Sequence, residues 1–479
     1  MRSFLHILSI ILCLSSPALL AQDLAKQRVI ILSDIEADPD DTQSFVRLFL
    51  YANQIDIKGI VATTSCWLKS EIHPESINKI IHAYDQVQPN LLKHELGFPE
   101  SEALLQLVKQ GLPKYGMLGV GEGQDSEGSE WILKELEAQD ERPLWISTWG
   151  GVNTLAQTLY KIKQTKTPAE AKRLIAKLRV YTISDQDDSG IWIRNNFPEL
   201  FYVVSPGDFY GNATWIAINS VIDGIDNASI SNPWLAQHIQ QGHGPLGAIY
   251  PDVAWGVEGD TPAFLSLIPN GLNAPEHPEW GGWGGRYELY KPEYVKDKPG
   301  SSKSGVPYEP ETRAIWTDAE DSYSPYIASE YGRTVKKSAS TFKNEKVSLW
   351  RWRDDFQQDF AARMDWTIKP YAQANHPPIP VLSHPEHLTL KSGQGFTLDA
   401  SESHDPDGDN LSVLWQQYPE AGSYKQDIKL GPPENSNRIH GTAPKVDKEE
   451  IIHIVLKVTD KGEPQLSRYK RVILTVQPK

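Results

Sequence analysis

The segment 28–41, RVIILSDIEADPDD, constrains this chain more than any other. Residues 28–32 form a short, almost unbroken apolar run, which is how a strand buried on both faces of a parallel sheet reads. Asp34, Glu36, Asp38, Asp40 and Asp41 follow at once, and residues 43–52 then predict a helix. Strand, acidic turn and helix make one unit of an open α/β sheet, a fold that binds its ligands beyond the carboxyl ends of its strands. The helix dipole accounts for one or two acids at a helix start. It does not account for acids on both sides of the turn. Carboxylates packed this closely repel one another, and a bound cation removes that cost. Hard oxygen ligands of this kind suit Ca²⁺ or Mg²⁺.

The α/β alternation continues. Residues 57–63, 144–148, 178–183 and 200–204 read as strands, and 76–84 and 152–163 as helices, which predicts a doubly wound, mostly parallel sheet. Residues 270–326 are rich in Gly, Pro and Trp without periodicity and read as a long ordered loop over the site or along the domain edge. In 350–366, Trp352, Phe356, Phe360 and Met364 recur at near-helical spacing and predict a closing helix. A boundary falls near Asn375-His376-Pro377-Pro378, dividing an α/β domain (22–374) from a C-terminal domain (375–479). There the short β-prone runs 396–399, 411–416, 451–459 and 471–476 predict a small all-β, immunoglobulin-like sandwich. Its segment FTLDASESHDPDGDNLSVLWQQ resembles the opening of modules of the polycystic-kidney-disease type. Asp405, Asp407 and Asp409 in that segment read either as a solvated turn or as hard ligands for a calcium ion.

Residues 1–21 have the charge, apolar core and small-residue end of a secretory signal peptide, so the mature chain is expected to be secreted or periplasmic. Cys13 follows Leu12 rather than a small residue, so no lipid anchor is expected, nor is any other membrane anchor. Cys66 then remains without a partner for an intrachain disulfide and reads as a structural thiol. The 62 acidic against 47 basic residues, a net charge of -15, argue against nucleic acid as a partner. Fifteen Trp and 19 Tyr serve mainly as core, with a subset free to stack on sugar rings.

Six segments carry a family resemblance: DIEADPDD (34–41), ATTSCWL (62–68), WGGVNTLA (149–156), SDQDDSGIWIRNNFP (184–198), GDTPAFLSLIPNGL (259–272) and GGWGGRY (281–287). The first is similar to the fingerprint of the calcium-dependent nucleoside hydrolases. Together they resemble a sister family of secreted bacterial proteins, described as nucleoside-hydrolase-like and cellulose-binding, with a C-terminal sandwich. The resemblance implies a calcium site built from Asp34, Glu36, Asp41, the carbonyl of Trp149 and Asp260. It implies that a carboxylate deprotonates a metal-held water for attack on an anomeric carbon. Glu36 stands at the position of the base, with Asp34 and Asp40 as the other candidates.

The substrate side departs from the hydrolase pattern. Asp188-Ser189-Gly190 stands where those enzymes grip ribose hydroxyls, and Gly259 stands where many of them have a leaving-group His. Asp188, Asn153, Trp67, Trp192 and Trp283 lie in or beside matched motifs and are the candidate substrate contacts. His243 is a candidate leaving-group acid, and Arg194 and Arg286 read either as ligand contacts or as internal ion pairs. Two functions follow. One is a calcium-dependent hydrolase of N-ribosides or other glycosides, the reading that the clustered acids favour. The other is a non-catalytic carbohydrate-binding protein, with cellulose or another polysaccharide as its partner.

Overall fold

A computed structural model describes residues 26–207, 210–212, 214–293, 305–328, 335–337, 340–431 and 435–479. The leader expected at 1–21 lies outside the described residues. Among the described residues, no helix is long and apolar enough to cross a membrane.

The first body is an eight-stranded sheet made of β1 (Arg28–Ser33), β2 (Asp56–Ala62), β3 (Val108–Gln110), β4 (Leu144–Thr148), β5 (Leu178–Thr182), β6 (Phe201–Val204), β7 (Tyr287–Tyr290) and β8 (Ile315–Asp318). Its order is β3-β2-β1-β4-β5-β6-β8-β7. All neighbours are parallel except the edge strand β7, which runs antiparallel to β8. β1 is apolar throughout because both of its faces are covered. Val29 and Ile31 join the core under the helices Asp40–Leu50, Pro74–Asp85 and Arg353–Asp365, and Ile30 and Leu32 join the core under Glu127–Glu137 and Asn153–Thr165. The chain leaves β1 toward β2 on one side and returns as β4 on the other. The order therefore reverses between β1 and β4, which opens a crevice at their carboxyl ends.

Two of the eight strands, β7 and β8, lie inside the stretch read from sequence as loop. They are four residues each, and three of the four positions of β7 are exposed, so neither carries an apolar run. The closing helix is present as Arg353–Asp365.

The second body is a β-sandwich. A four-stranded sheet of His387–Lys391, Ser467–Gln477, Glu450–Thr459 and Ser412–Gln417 faces the pair Gly395–Asp399 and Arg438–Thr442. Trp415, Leu398 and Ile454 are fully buried between them. Asp405 accepts the backbone N–H groups of Asp407 and Asp409, and the Asp407 carboxylate holds His376, so two of the three acids of this turn are tied up in shaping it. The sandwich docks on the closing helix and on residues 270–283. Tyr469 and Lys457 bond Asp355, Arg468 bonds Asp359, and Arg471 donates to the carbonyls of Leu272 and Gly281.

His453 sits in this seam with its ring edge-on to Trp280 and its Nδ1 3.2 Å from an Arg471 nitrogen. Burial, then the Arg471 charge, pushes its pKa down to about 3. The neutral form is thus the folded one, and the unfolded chain takes up the extra proton below its ordinary value near 6.5. This term is silent above about pH 6.5 and removes about 1.4 kcal/mol of stability for each pH unit below it, until the folded pKa is reached. Melting curves of wild type and His453→Gln between pH 7 and pH 4 are expected to show a shallower acid decline in the variant. Identical declines would exclude His453 as a contributor.

Candidate active site

The crevice between β1 and β4 holds a cavity of about 450 Å³. Its floor is acidic: Asp34, Asp38, Asp40, Asp41 and Asp260 line it. Asp34 follows β1, and Asp40 and Asp41 open the next helix, both in its first turn. Asp260 arrives from a distant loop that ends in the turn Pro262–Leu265. Asp38, Asp40 and Asp41 each present a carboxylate oxygen within 4.8 Å of the others. Asp34, Asp40, Asp41 and Asp260 are all at least 96% buried, and one oxygen of Asp260 has no hydrogen-bond partner. Among the described residues lining the cavity there is no Lys, Arg or His.

The approach is close enough to need glycine. A Cβ at Gly150, just after β4, would lie 2.5 Å from Asp34 Oδ1. The few polar partners are specific. Ser33 Oγ donates to Asp41 at 2.5 Å, and Trp215 Nε1 donates to Asp40 at 2.7 Å. Burial pushes Asp34 up to about 6 and, with repulsion among the acids, pushes Asp40, Asp41 and Asp260 well above the ordinary carboxylate range.

Glu36 is the correction. The resemblance makes it a ligand and the base, but its side chain is exposed and its Oε1 accepts the Ser76 hydroxyl. It is not part of the cavity lining. The reason is local: Glu36 has φ of 79°, a left-handed conformation that turns the side chain out of the crevice. Asp38 supplies the carboxylate beside Asp40 and Asp41 instead. Trp149 lines the cavity, its ring packed on Phe45 and Phe264 and its carbonyl accepting Gln186 Nε2.

Of the candidate substrate contacts, only Trp67 reaches the cavity. It is half exposed, and its indole N–H donates to Tyr210 at 2.9 Å. Asp188 accepts the Met117 backbone N–H, and Asn153 bridges Thr63 and the Lys114 carbonyl. Trp192 packs edge-on to Phe197 in the opposite core, and Trp283 is fully buried against Tyr469 of the sandwich. His243 pairs with Asp365, Arg194 with Asp185 and Glu311, and Arg286 with Asp321, so all three are structural. Cys66 is buried, as expected of a structural thiol.

The aromatic wall was not visible in the sequence. Tyr210 and Trp215 stand 5.3 Å apart along it, and Trp255, 78% exposed, adds a ring at the mouth. Gly259, at the position where many nucleoside hydrolases are expected to carry a His, makes room for Trp215: a side chain there would collide with the indole.

The family model described as "Cellulose-binding Sde182, nucleoside hydrolase-like domain" matches residues 28–287, and that described as "Cellulose-binding protein Sde0182, C-terminal domain" matches residues 395–476. The chain belongs to this family. It is similar to a solved nucleoside hydrolase-related hypothetical protein from Saccharophagus degradans, associated with carbohydrate metabolism, at 36% identity and a TM-score of 0.79, over 94% of this chain and 100% of that one. The PKD domain from the KIAA 1837 protein aligns at 20% identity over 21% of this chain and 89% of its own, with a TM-score of 0.17. The effector protein XOO4466 aligns at 9% identity over 72% and 94%, with a TM-score of 0.35. No curated protein matches.

The acids set a stability test. A carboxyl whose folded pKa is raised contributes stability that is fully present below its unfolded value near 4 and is lost as pH rises from there to the folded value, about 6 for Asp34 and higher for Asp40, Asp41 and Asp260. In chelator, wild type should therefore lose stability as pH rises above about 4. Asp260→Asn should melt higher than wild type at pH 8, by about 2 °C or more. A variant no more stable than wild type at pH 8 would mean that these charges are not in conflict.

Proposed function

We propose that the chain is a secreted or periplasmic, divalent-cation-dependent hydrolase of glycosidic bonds, with calcium as the cation. The observation that carries this reading is the set of five carboxylates converging on one cavity whose described lining has no basic side chain. The donor set fits a hard cation: oxygens only, several of them buried, one on Asp260 without a partner. Asp38, Asp40, Asp41 and Asp260 would hold it. When bound, it supplies an electrophilic centre for a water and for sugar hydroxyls.

The chain's own groups do the rest. Asp34 closes the ring of acids and is our choice of base, since burial brings its proton affinity toward the working range of such a group. The remaining carboxylates stabilise positive charge developing at the anomeric carbon. Trp215 fixes one oxygen of Asp40, and Trp67, Tyr210 and Trp255 offer ring faces to a pyranose or a flat leaving group. With Trp215 over Gly259 in place of a leaving-group His, a sugar leaving group suits the cavity better than a nucleobase.

The second reading is carbohydrate binding without catalysis. The outward turn of Glu36 favours it, because that residue stands at the hydrolases' base position. The family description, cellulose-binding, points the same way.

Calorimetry should give Ca²⁺ binding to wild type that weakens at least about tenfold in Asp41→Ala. Equal binding by both would remove the metal site. Reducing-sugar release from a panel of nucleosides and oligosaccharides then separates the two readings. Hydrolysis predicts turnover that falls about 100-fold or more in Asp34→Asn. Saccharide binding with no release from any substrate would decide for the binding protein.

A further inference from the structure

A second cavity, sharing no lining residue with the acidic one, runs along the seam between the two bodies. It occupies about 670 Å³ between the strand Asp321–Tyr323, the strand Ser412–Gln417 and residues 419–430. A smaller space of about 110 Å³ adjoins it and shares Tyr323, Tyr326, Arg351 and Gln416 with it, so the two form one groove. The combined size is within the range of ligand-binding pockets.

Its polar groups point to a ligand. Gln416 is 9% exposed and lines both spaces, and its side-chain amide has no hydrogen-bond partner among the described residues and opens onto the groove. Its two donors and its acceptor are free to pair with a bound ligand in place of water. One oxygen of Glu420 in the larger space and one of Asp354 in the smaller are likewise buried without partners. The charges nearly cancel: Arg351 is paired with Asp321, and Lys425 and Lys429 face Glu420 and Asp427. Tyr323 and Tyr326 add two aromatic side chains. Unmet amide and carboxylate groups, aromatic walls and low net charge match a ligand that is uncharged, rich in hydroxyls and built of rings with apolar faces.

We propose that this seam is a binding groove for a neutral glycan chain, distinct from the acidic cavity and independent of whether that cavity is catalytic. Residues 214–225 place Trp215 in the acidic cavity and Gly224 and Ile225 in the groove, so a chain held in the seam lies against a segment that also walls the pocket.

The test is calorimetry on the full mature chain carrying Asp41→Ala and Trp67→Ala, which disables the pocket, with cellohexaose and xylohexaose as neutral probes and a galacturonic acid hexamer as the anionic one. At least one neutral hexamer is expected to bind, and more tightly than the anionic one. Adding Gln416→Ala should weaken that binding at least tenfold. Ser322→Trp, a bulky change at an exposed groove position, should do the same without touching the core. The proposal is overturned if neither neutral hexamer binds the pocket-disabled chain, if both groove variants bind as their parent does, or if the anionic hexamer binds more tightly. Failure of the pocket reading would leave these outcomes unchanged.

Discussion

Arg47 holds the site-bearing parts of the α/β body together. It is fully buried near the end of the helix Asp40–Leu50, whose first turn carries Asp40 and Asp41. Its guanidinium bonds both oxygens of Glu258, two residues before Asp260, and also the Phe356 carbonyl and Gln357 on the closing helix. Tyr250 and Thr261 donate to the same Glu258 carboxylate. One cation thus joins the acidic turn, the loop carrying the late acid and the helix on which the sandwich docks. Breaking such a pair from one side leaves an uncompensated buried charge, a loss of about 3–5 kcal/mol. The convergence of Asp40, Asp41 and Asp260 depends on that pair more than on any contact among the acids, which repel.

The topology then decides where the acids meet. The sheet reverses its winding between β1 and β4, and only there do two strand ends open toward each other without a helix crossing between them. Gly150 lets the chain after β4 touch Asp34, and Gly259 lets Trp215 lie beside Asp260's loop. The first glycine serves the ring of acids and the second replaces a side chain of the related hydrolases with an aromatic wall. Charge placement and the shape of the ligand space have in this sense been settled by different residues.

That division explains how much could be read from the sequence. β1, its acids and the helix after them were legible because strand burial, acid spacing and helix periodicity all act within about fifteen residues. The sandwich was legible for the same reason. Glu36 and Asp38 are two residues apart in one turn, and a single left-handed residue decides which faces inward, which composition does not encode. Tyr210, Trp215 and Trp255 come from short irregular turns with no periodic signal, and only tertiary packing brings them to the cavity. Trp192 and Trp283 sit in motifs as specific as that of Trp67, yet motif membership does not say which face a ring takes, and both faces lead to core.

Several of the protein's other buried acids are neutralised in a way that those of the acidic floor are not. Asp185 meets Arg194, Asp321 meets Arg286 and Arg351, Asp359 meets Arg363 and Arg468, and Glu258 meets Arg47. Each of these carboxylates is neutralised by a guanidinium within hydrogen-bonding or ion-pair reach. At the end of β1, acids at least as deeply buried are gathered without any basic side chain in the described lining and with one oxygen left unpaired. Desolvation alone makes an isolated buried carboxylate unfavourable, and four or five together are worse. Asp187 and Asp460 are buried without a guanidinium too, but each lies outside any cluster of acids, whereas a whole group of carboxylates is left without one here, and that contrast supports the hard cation proposed above.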